Sequence, residues 1–516
     1  MPLGWSNEAF SQAEMSQIKG MTMTFYQKLV HHNQKISRLE HLEAICSWDQ
    51  AAMMPEGGNS ARSEALAELA VIKHELSIAP YLGEWFEQAA TEELAPDEII
   101  NLREMKRSWQ QANVVPADLV EKKSLACSRC EHAWRTQRDK NDWQRFCQNL
   151  KEVVELTRQE AQIRAEATGL SRYDALLDLY EPGMTTVELD ELFSEVKGWL
   201  PGLIKQIMER QSQDVIMQPV GPFPVDQQQA LSHTLMDRLG FDFNHGRLDK
   251  SIHPFCGGVP TDVRITTRYD EADFTSALMG VIHETGHARY EQGLPETWAG
   301  QPAGKARSMG IHESQSLFFE MQLSRSELFI DILAPLAADF FHRIDDPALS
   351  PENLTLLNTR VKPGLIRVDA DEATYPAHVI LRYEIERDLV EGKIEVEDIP
   401  ELWDKKMSEY LGISTRGNFS DGCMQDIHWP IGAFGYFPSY TLGAIYAAQF
   451  MAAIKKEMNV DSLIRERNLQ PIFNWLDRHV WKRASTVSTD QLLIDATGER
   501  LNAQYFKQHL EQRYLK

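Results

Sequence analysis

The chain reads as a mainly α protein, a single large helical unit with a small β-sheet near residues 250–270. Three observations carry this. Apolar residues recur at three- and four-residue spacings through most of the 516 residues. Gly and Pro, which end helices, gather at a few places. One stretch, Asp262-Val-Arg-Ile-Thr-Thr-Arg268, alternates as a strand does and is the best strand candidate in the chain.

In chain order, residues 12–50 hold two amphipathic runs, with Leu29, Ile36, Leu39, Leu42 and Ile45 at helical spacing. Met54-Pro-Glu-Gly-Gly58 is a turn, and Asn59-Ser60 is placed to cap a helix over 61–76. Residues 97–113, 116–136 and 141–168 are long charged helices whose charge runs are solvated faces. Gly169 starts a break, a short helix runs to Tyr180-Glu-Pro-Gly183, and Thr185 or Thr186 starts a helix to about 212. A Pro/Gly-rich connector over 215–224 divides a helical half, 1–213, from a second half, 214–516, both parts of one continuous fold. A helix follows over 225–239, then a loop at 253–260 and the strand at 262–268, with the next helix packed behind the sheet. Helices resume to the end, broken at 293–310, near Pro347, at Pro363-Gly364 and over 412–438.

Lys plus Arg number 53 against 76 Asp plus Glu, a formal charge of −23. That argues against a nucleic-acid partner, which needs a basic surface. No apolar run approaches a membrane span, and the N-terminus has no basic region followed by an apolar core, so no signal peptide is expected. Six scattered cysteines suggest free thiols in a reducing cytoplasm, with Cys127-Ser-Arg-Cys130 a fortuitous pair on a helix.

The chemistry centres on His283-Glu284-Thr285-Gly286-His287. On a helix, positions four apart share a face, so both imidazoles can hold one metal ion while Glu284 sits beside its open position. A third ligand is needed. Glu291 and Glu296 are near in sequence, but Glu313 is the better candidate. It lies 26 residues after His287, far enough for a second helix to cross back, in a polar cluster entering an apolar run, His312-Glu-Ser-Gln-Ser-Leu-Phe-Phe319. The competing reading of Glu313 is an acidic residue in an ordinary first helical turn.

The chain resembles the carboxypeptidase Taq family of thermostable-type zinc metallocarboxypeptidases. The resemblance rests on ordered motifs: His253-Pro254-Phe255, Asp262-x-Arg264-x-Thr266, His283-Glu-x-x-His287, His312-Glu313-Ser314-Gln315-Ser316, Ile366-Arg367-x-x-Ala370-Asp371 and Gly422-x-x-Gln425-Asp426-x-His428-Trp429. Trp48-Asp49, the turn at 54–58 and Tyr180-Glu-Pro-Gly183 are also similar. It implies an almost all-helical fold with a deep active-site groove, and Zn²⁺ on His283, His287 and Glu313, with Co²⁺ as an alternative occupant. Glu284 is then general base and proton donor. It further implies removal of single C-terminal residues from peptides with a free C-terminus, with broad tolerance and poor action before C-terminal proline, by a cytoplasmic homodimer. The second half is then the catalytic one.

A carboxypeptidase must hold a free α-carboxylate, which arginine does bidentately. Arg264 and Arg367, one or both, are the candidates, the alternative being structural pairing with Asp262 and Asp371. Oxyanion donors are sought in His428, Tyr436 and Tyr440, the last two on the Gly-rich run 432–440, with tyrosine packing as the alternative. Asp426 is a candidate to orient an imidazole, and His253 to give structural support. A zinc oligopeptidase or endopeptidase on the same scaffold is the rival reading. A non-catalytic helical protein with a structural metal is a second, against which the intact Glu284 argues.

Overall fold

Local caps explain most of the helix starts. A computed structural model describes residues 23–516. Thr24 and Gln27 form a capping box for Phe25–Ala52. This is one helix of 28 residues where two runs were expected; the part of that expectation over 12–22 lies outside the described residues. Asn59 does not cap. The 3₁₀ turn Glu56–Gly58 leads straight into Asn59–Ser77, so Asn59 is already helical and its side chain accepts from Gln50 instead. Asp142 caps Trp143–Thr168, which ends at Gly169 in the left-handed region, φ 75°. Thr185 and Glu188 form the capping box of Thr186–Gln211. Among the described residues, no helix is long and apolar enough to cross a membrane.

The small sheet expected near residues 250–270 is present, with two strands besides the one located in the sequence. It has β1 (Gly246–Lys250), β2 (Phe255–Val259) and β3 (Asp262–Thr267), in the order β1-β3-β2. The loop reading of 253–260 is corrected. Gly257 and Gly258 hid β2, but an edge strand tolerates glycine where a ladder partner fixes its register. β1 runs parallel to β3 and β2 antiparallel to it. Leu248, Val263 and Ile265 form a small core with Val281 and Ala288. Those two belong to the motif helix, Phe274–Gly293, which is thus packed behind the sheet. On the other face, Asp262 meets His41, and the Arg264 guanidinium lies 4.4 Å from the Trp48 ring centroid.

The principal core is continuous from Ala126 to Tyr514, across the connector at 214–224. Residues 25–109 add a smaller cluster around Leu29, Phe86 and Met105. Inside the large core, the ligand helix Met309–Leu317 lies between the motif helix and Pro438–Glu457. Glycine makes both contacts possible. A Cβ on Gly286 would stand 2.4 Å from the Gln315 carbonyl oxygen and 2.6 Å from Ser316 Cα. A Cβ on Gly443 would stand 2.7 Å from Glu313 Cγ.

Gly286→Ala is expected to lose at least about 1–3 kcal/mol of stability, because the obstruction is backbone and cannot rotate away. The ligand helix has to shift, so metal affinity should fall with it. Urea unfolding together with zinc titration checks both; an alanine variant as stable and as tightly zinc-binding as the parent contradicts the close crossing.

Candidate metal centre and active site

The motif helix begins at Asp273, whose carboxylate accepts from the N–H of Thr275 at 2.9 Å. Nearly three turns later His283, and one turn beyond it His287, leave the same face, as four-residue spacing requires. Ser308 caps the ligand helix by accepting from Ile311 N–H at 3.0 Å. That aims Glu313 at the imidazoles: Oε2 is 3.5 Å from His287 Nε2, and Oε1 is 4.0 Å from His283 Nε2. The donor atoms of the three lie within 4.8 Å of one another. Donors around a tetrahedral ion at about 2.0–2.1 Å are roughly 3.3 Å apart, so a small closure completes a site for an ion such as zinc.

The far nitrogens of both imidazoles are engaged. His283 Nδ1 meets Glu320 Oε2 at 2.9 Å. Arg325 donates to Glu320 Oε1 at 2.8 Å and to the Asn358 carbonyl at 2.7 Å. His287 Nδ1 meets His312 Nδ1 at 2.7 Å, and His312 Nε2 meets Glu291 Oε1 at 2.7 Å. Each ring is held so that Nε2 faces Glu313, the arrangement that orients metal-binding histidines. Glu320 was not singled out from sequence. Its signal was the seven-residue spacing from Glu313, two turns along one face, although Phe318–Ser324 is π-helical and widens the last turn. Glu291, set aside as a ligand, belongs to this outer layer.

The electrostatics ask for a cation. Burial opposes charge on His283, but the bond to Glu320 and the charges of Glu313, Glu320 and Glu284 outweigh it and lift its pKa to about 10. Burial lowers His287 to about 4. Glu320 falls to about 2, because Arg325 and His283 overcome its burial. Burial, reinforced by Glu313 and Glu320, pushes Glu284 up to about 7. Three carboxylates thus surround two imidazoles, and without an ion His283 carries a proton.

The centre opens into a cavity of about 1400 Å³, lined by residues between Gln218 and Ala447. Tyr436, Tyr440 and Arg367 line it. Burial keeps both tyrosine hydroxyls protonated far above the usual range. His428 stands behind them, with Nε2 3.1 Å from the Tyr440 hydroxyl. Arg367 is 6% exposed. Its partner is Asp426, at 2.8 Å, not Asp371, whose carboxylate instead accepts from the N–H groups of Lys362 and Thr374. Asp426 orients no imidazole: its second oxygen takes Arg382 at 2.6 Å. Arg367 Nη1 donates to the Tyr375 hydroxyl at 2.6 Å.

Arg264 is not brought to this cavity. It is held by Asp262 at 2.6 and 3.0 Å and stacked on Trp48, the structural pairing that was its alternative. His253 contributes its carbonyl, which accepts from Ser251 Oγ at 2.6 Å, while the ring is exposed. Cys127 and Cys130 are free thiols raised by burial, Cys130 to about 12.

The family model described as carboxypeptidase Taq (M32) metallopeptidase matches residues 28–514. Thermostable carboxypeptidase 1 of Thermus thermophilus is 37% identical over 505 residues, covering 95% of this chain and 98% of the relative. Carboxypeptidase 1 of Bacillus subtilis is 34% identical over 490 residues, covering 93% and 96%. Among solved structures, Trypanosoma cruzi metallocarboxypeptidase 1 has a TM-score of 0.94 and 46% identity, covering 95% of this chain and 99% of that one. The M32 carboxypeptidase of Deinococcus radiodurans R1 has a TM-score of 0.91 and 30% identity, covering 95% and 98%. The chain belongs to the carboxypeptidase Taq (M32) metallopeptidase family, and is by that membership a metal-dependent hydrolase of the carboxypeptidase type.

Because His283 is protonated near neutral pH when no ion is bound, zinc binding at pH 7 should release about one proton, read by calorimetry in two buffers of different ionisation enthalpy. Glu320→Gln leaves His283 without its anionic partner and should weaken zinc by about 10–100-fold. Binding without proton release, or at parent affinity in the variant, contradicts this charge balance.

Proposed function

We propose that this member of the carboxypeptidase Taq family is a zinc-dependent metallocarboxypeptidase that removes single C-terminal residues from peptides. The reading is carried by one observation: His283, His287, Glu313 and Glu284 open into the same cavity as Arg367. The imidazole nitrogens and carboxylate oxygens of the first three suit zinc, with cobalt able to replace it.

His283, His287 and Glu313 would hold the ion, whose Lewis acidity polarises the scissile carbonyl and makes water a nucleophile near neutral pH. Glu284 takes the proton of the attacking water and returns it to the leaving amino nitrogen; its carboxyl, raised to about 7, is poised for both steps. Tyr436 and Tyr440 stay protonated and offer O–H donors to the oxygen on which negative charge develops. His428, bonded to Tyr440, fixes that hydroxyl. Arg367 and Arg382 share the single carboxylate of Asp426, so this buried cluster carries a surplus positive charge at the cavity wall. Arg367 is therefore the group assigned to the substrate α-carboxylate, and Arg264 is assigned a structural role.

Broad side-chain tolerance, weak action before a C-terminal proline, and a homodimer are part of the same proposal, as the resemblance of the sequence motifs implies. The cysteines are free thiols, in keeping with a cytoplasmic setting. Residues 214–516 form the catalytic half in this reading, in keeping with the cavity lining.

Glu284→Gln should keep its zinc and lose about 10²–10⁴-fold in kcat. The parent, followed by mass spectrometry, should shorten peptides one residue at a time from the C-terminus and leave C-terminal amides intact. Normal turnover in Glu284→Gln would sink the base assignment, and internal cleavage of amidated peptides would make the protein an oligopeptidase. Arg367→Ala should raise KM for peptides with a free C-terminus by about tenfold or more, the cost of a lost charge-assisted hydrogen bond.

A further inference from the structure

The last helix of the chain, Gln504–Tyr514, lines none of the cavity, yet it holds two of its walls. Phe506, Leu510 and Tyr514 are buried in the principal core, so the helix is a fixed post. The first wall is the π-helical run Phe318–Ser324, which carries Glu320 to His283. A helix end leaves its last carbonyls without partners inside the helix. Here Arg325 N–H reaches back to the Glu320 carbonyl and Ser326 N–H to that of Leu323, which passes over Met321 and Gln322. Arg513 serves both. Its Nη1 donates to the Met321 carbonyl at 2.5 Å, and Nη2 donates to that of Gln322 at 3.5 Å. Met321 and Gln322 line the cavity.

The second wall follows Arg367. Glu372 lines the cavity from the turn that enters the helix Tyr375–Val390, whose Tyr375 hydroxyl accepts from Arg367. The Glu372 carboxylate accepts from Arg513 Nη1 and from the Tyr514 hydroxyl, each at 2.9 Å, and meets His509 Nε2 at 2.6 Å. One nitrogen, Arg513 Nη1, thus donates to the metal side and to the carboxylate side at once. The side chains of Arg513 and Glu372 are only 10% and 4% exposed. Water cannot take over from either, and a buried charge left unpaired is costly, so the two walls keep their spacing.

That spacing bears on the reaction. In the reading above, the metal centre takes the scissile carbonyl and Arg367 takes the carboxylate of the residue that follows. A misplacement of about 1 Å at a reacting centre can cost about 100-fold in rate. We infer that Arg513, bonded to Met321 and Glu372, braces the metal side of the cavity against its carboxylate side and so fixes the spacing that selects the last peptide bond. This rests on the peptidase reading. Arg513 is a positioning residue, since it lies outside the cavity lining and acts through the two groups it holds.

Equilibrium binding to the zinc-loaded protein tests the brace without turnover. N-(mercaptoacetyl)phenylalanine carries a thiolate for zinc and, one residue away, a carboxylate for Arg367. N-(mercaptoacetyl)phenethylamine lacks only the carboxylate. The parent should bind the first about tenfold or more tighter than the second, the worth of a charge-assisted hydrogen bond. Arg513→Ala should lose most of that advantage, while the second ligand binds as in the parent. A helix that only stabilises the fold would lower the urea midpoint and leave the ratio unchanged. Should the alanine variant fail to fold, Arg513→Lys must show the same split, because lysine keeps the charge but not the fork that reaches both partners. If a folded variant weakens both ligands alike, or neither, the brace is overturned and the peptidase reading stands. Equal binding of the two ligands by the parent would instead overturn the peptidase reading itself.

Discussion

The close crossing of the ligand helix over the motif helix is the constraint on which the rest depends. At Gly286 the two backbones come so near that no side chain fits between them. That distance carries Glu313 to within 3.5 Å of one imidazole and 4.0 Å of the other. Gly443 clears the other side of the same carboxylate. A wider crossing, of the kind ordinary side chains enforce at 8–10 Å between axes, would leave two histidines and a glutamate near one another without a shared point. The pentapeptide is thus only half of the metal site; the other half is packing.

The same packing buries charge, and the charges are sorted by sign. Around the imidazoles, Glu284, Glu313 and Glu320 face one fixed cation, Arg325. Across the cavity, Arg367 and Arg382 face one fixed anion, Asp426. Buried charge is costly unless compensated, so each cluster favours a ligand of opposite sign: a metal ion at one, a carboxylate at the other. In the proposed reading, a peptide C-terminus entering between them would meet Arg367 with its carboxylate and present its last amide toward Glu284. The net charge of −23 says nothing of this local division.

Much of this was legible in sequence, for physical reasons. Helical spacing put His283 and His287 on one face, and polar His312, Ser314 and Gln315 ahead of an apolar run marked Glu313. Alternation exposed β3. What stayed hidden depends on pairing between distant segments. β1 and β2 carry little pattern of their own and exist because β3 lies between them. Arg264 and Arg367 were equal candidates, each near an aspartate in sequence. Three-dimensional pairing separates them, since Asp262 and Trp48 occupy Arg264 whereas Asp426 holds Arg367 at the cavity wall.

Residues 23–213, the described part of the N-terminal half, line none of the cavity, yet they help to hold the parts that do. Glu181, 2% exposed, accepts from Gly310 N–H and from Ser439 Oγ at 2.7 Å, so one carboxylate pins the starts of the ligand helix and of Pro438–Glu457. Glu386 accepts from Tyr173 Oη at 2.9 Å, Trp429 Nε1 at 2.8 Å and Gly435 N–H, fixing the run that carries His428 and Tyr436. Neither carboxylate has an ion-pair partner among the described residues, and burial raises both to about 7. Hydrogen bonds, aided at Glu386 by the charge of Arg382, offset part of their desolvation, so each group tolerates only the geometry that satisfies it. Two uncompensated buried carboxylates are poor devices for stability. They are good devices for precision, because any shift of Gly310, Ser439 or Gly435 leaves a buried oxygen unpaired. Glu181 from the first half, and Glu386 of the second half together with Tyr173 of the first, thereby hold Glu313 and the run of Tyr436 in register.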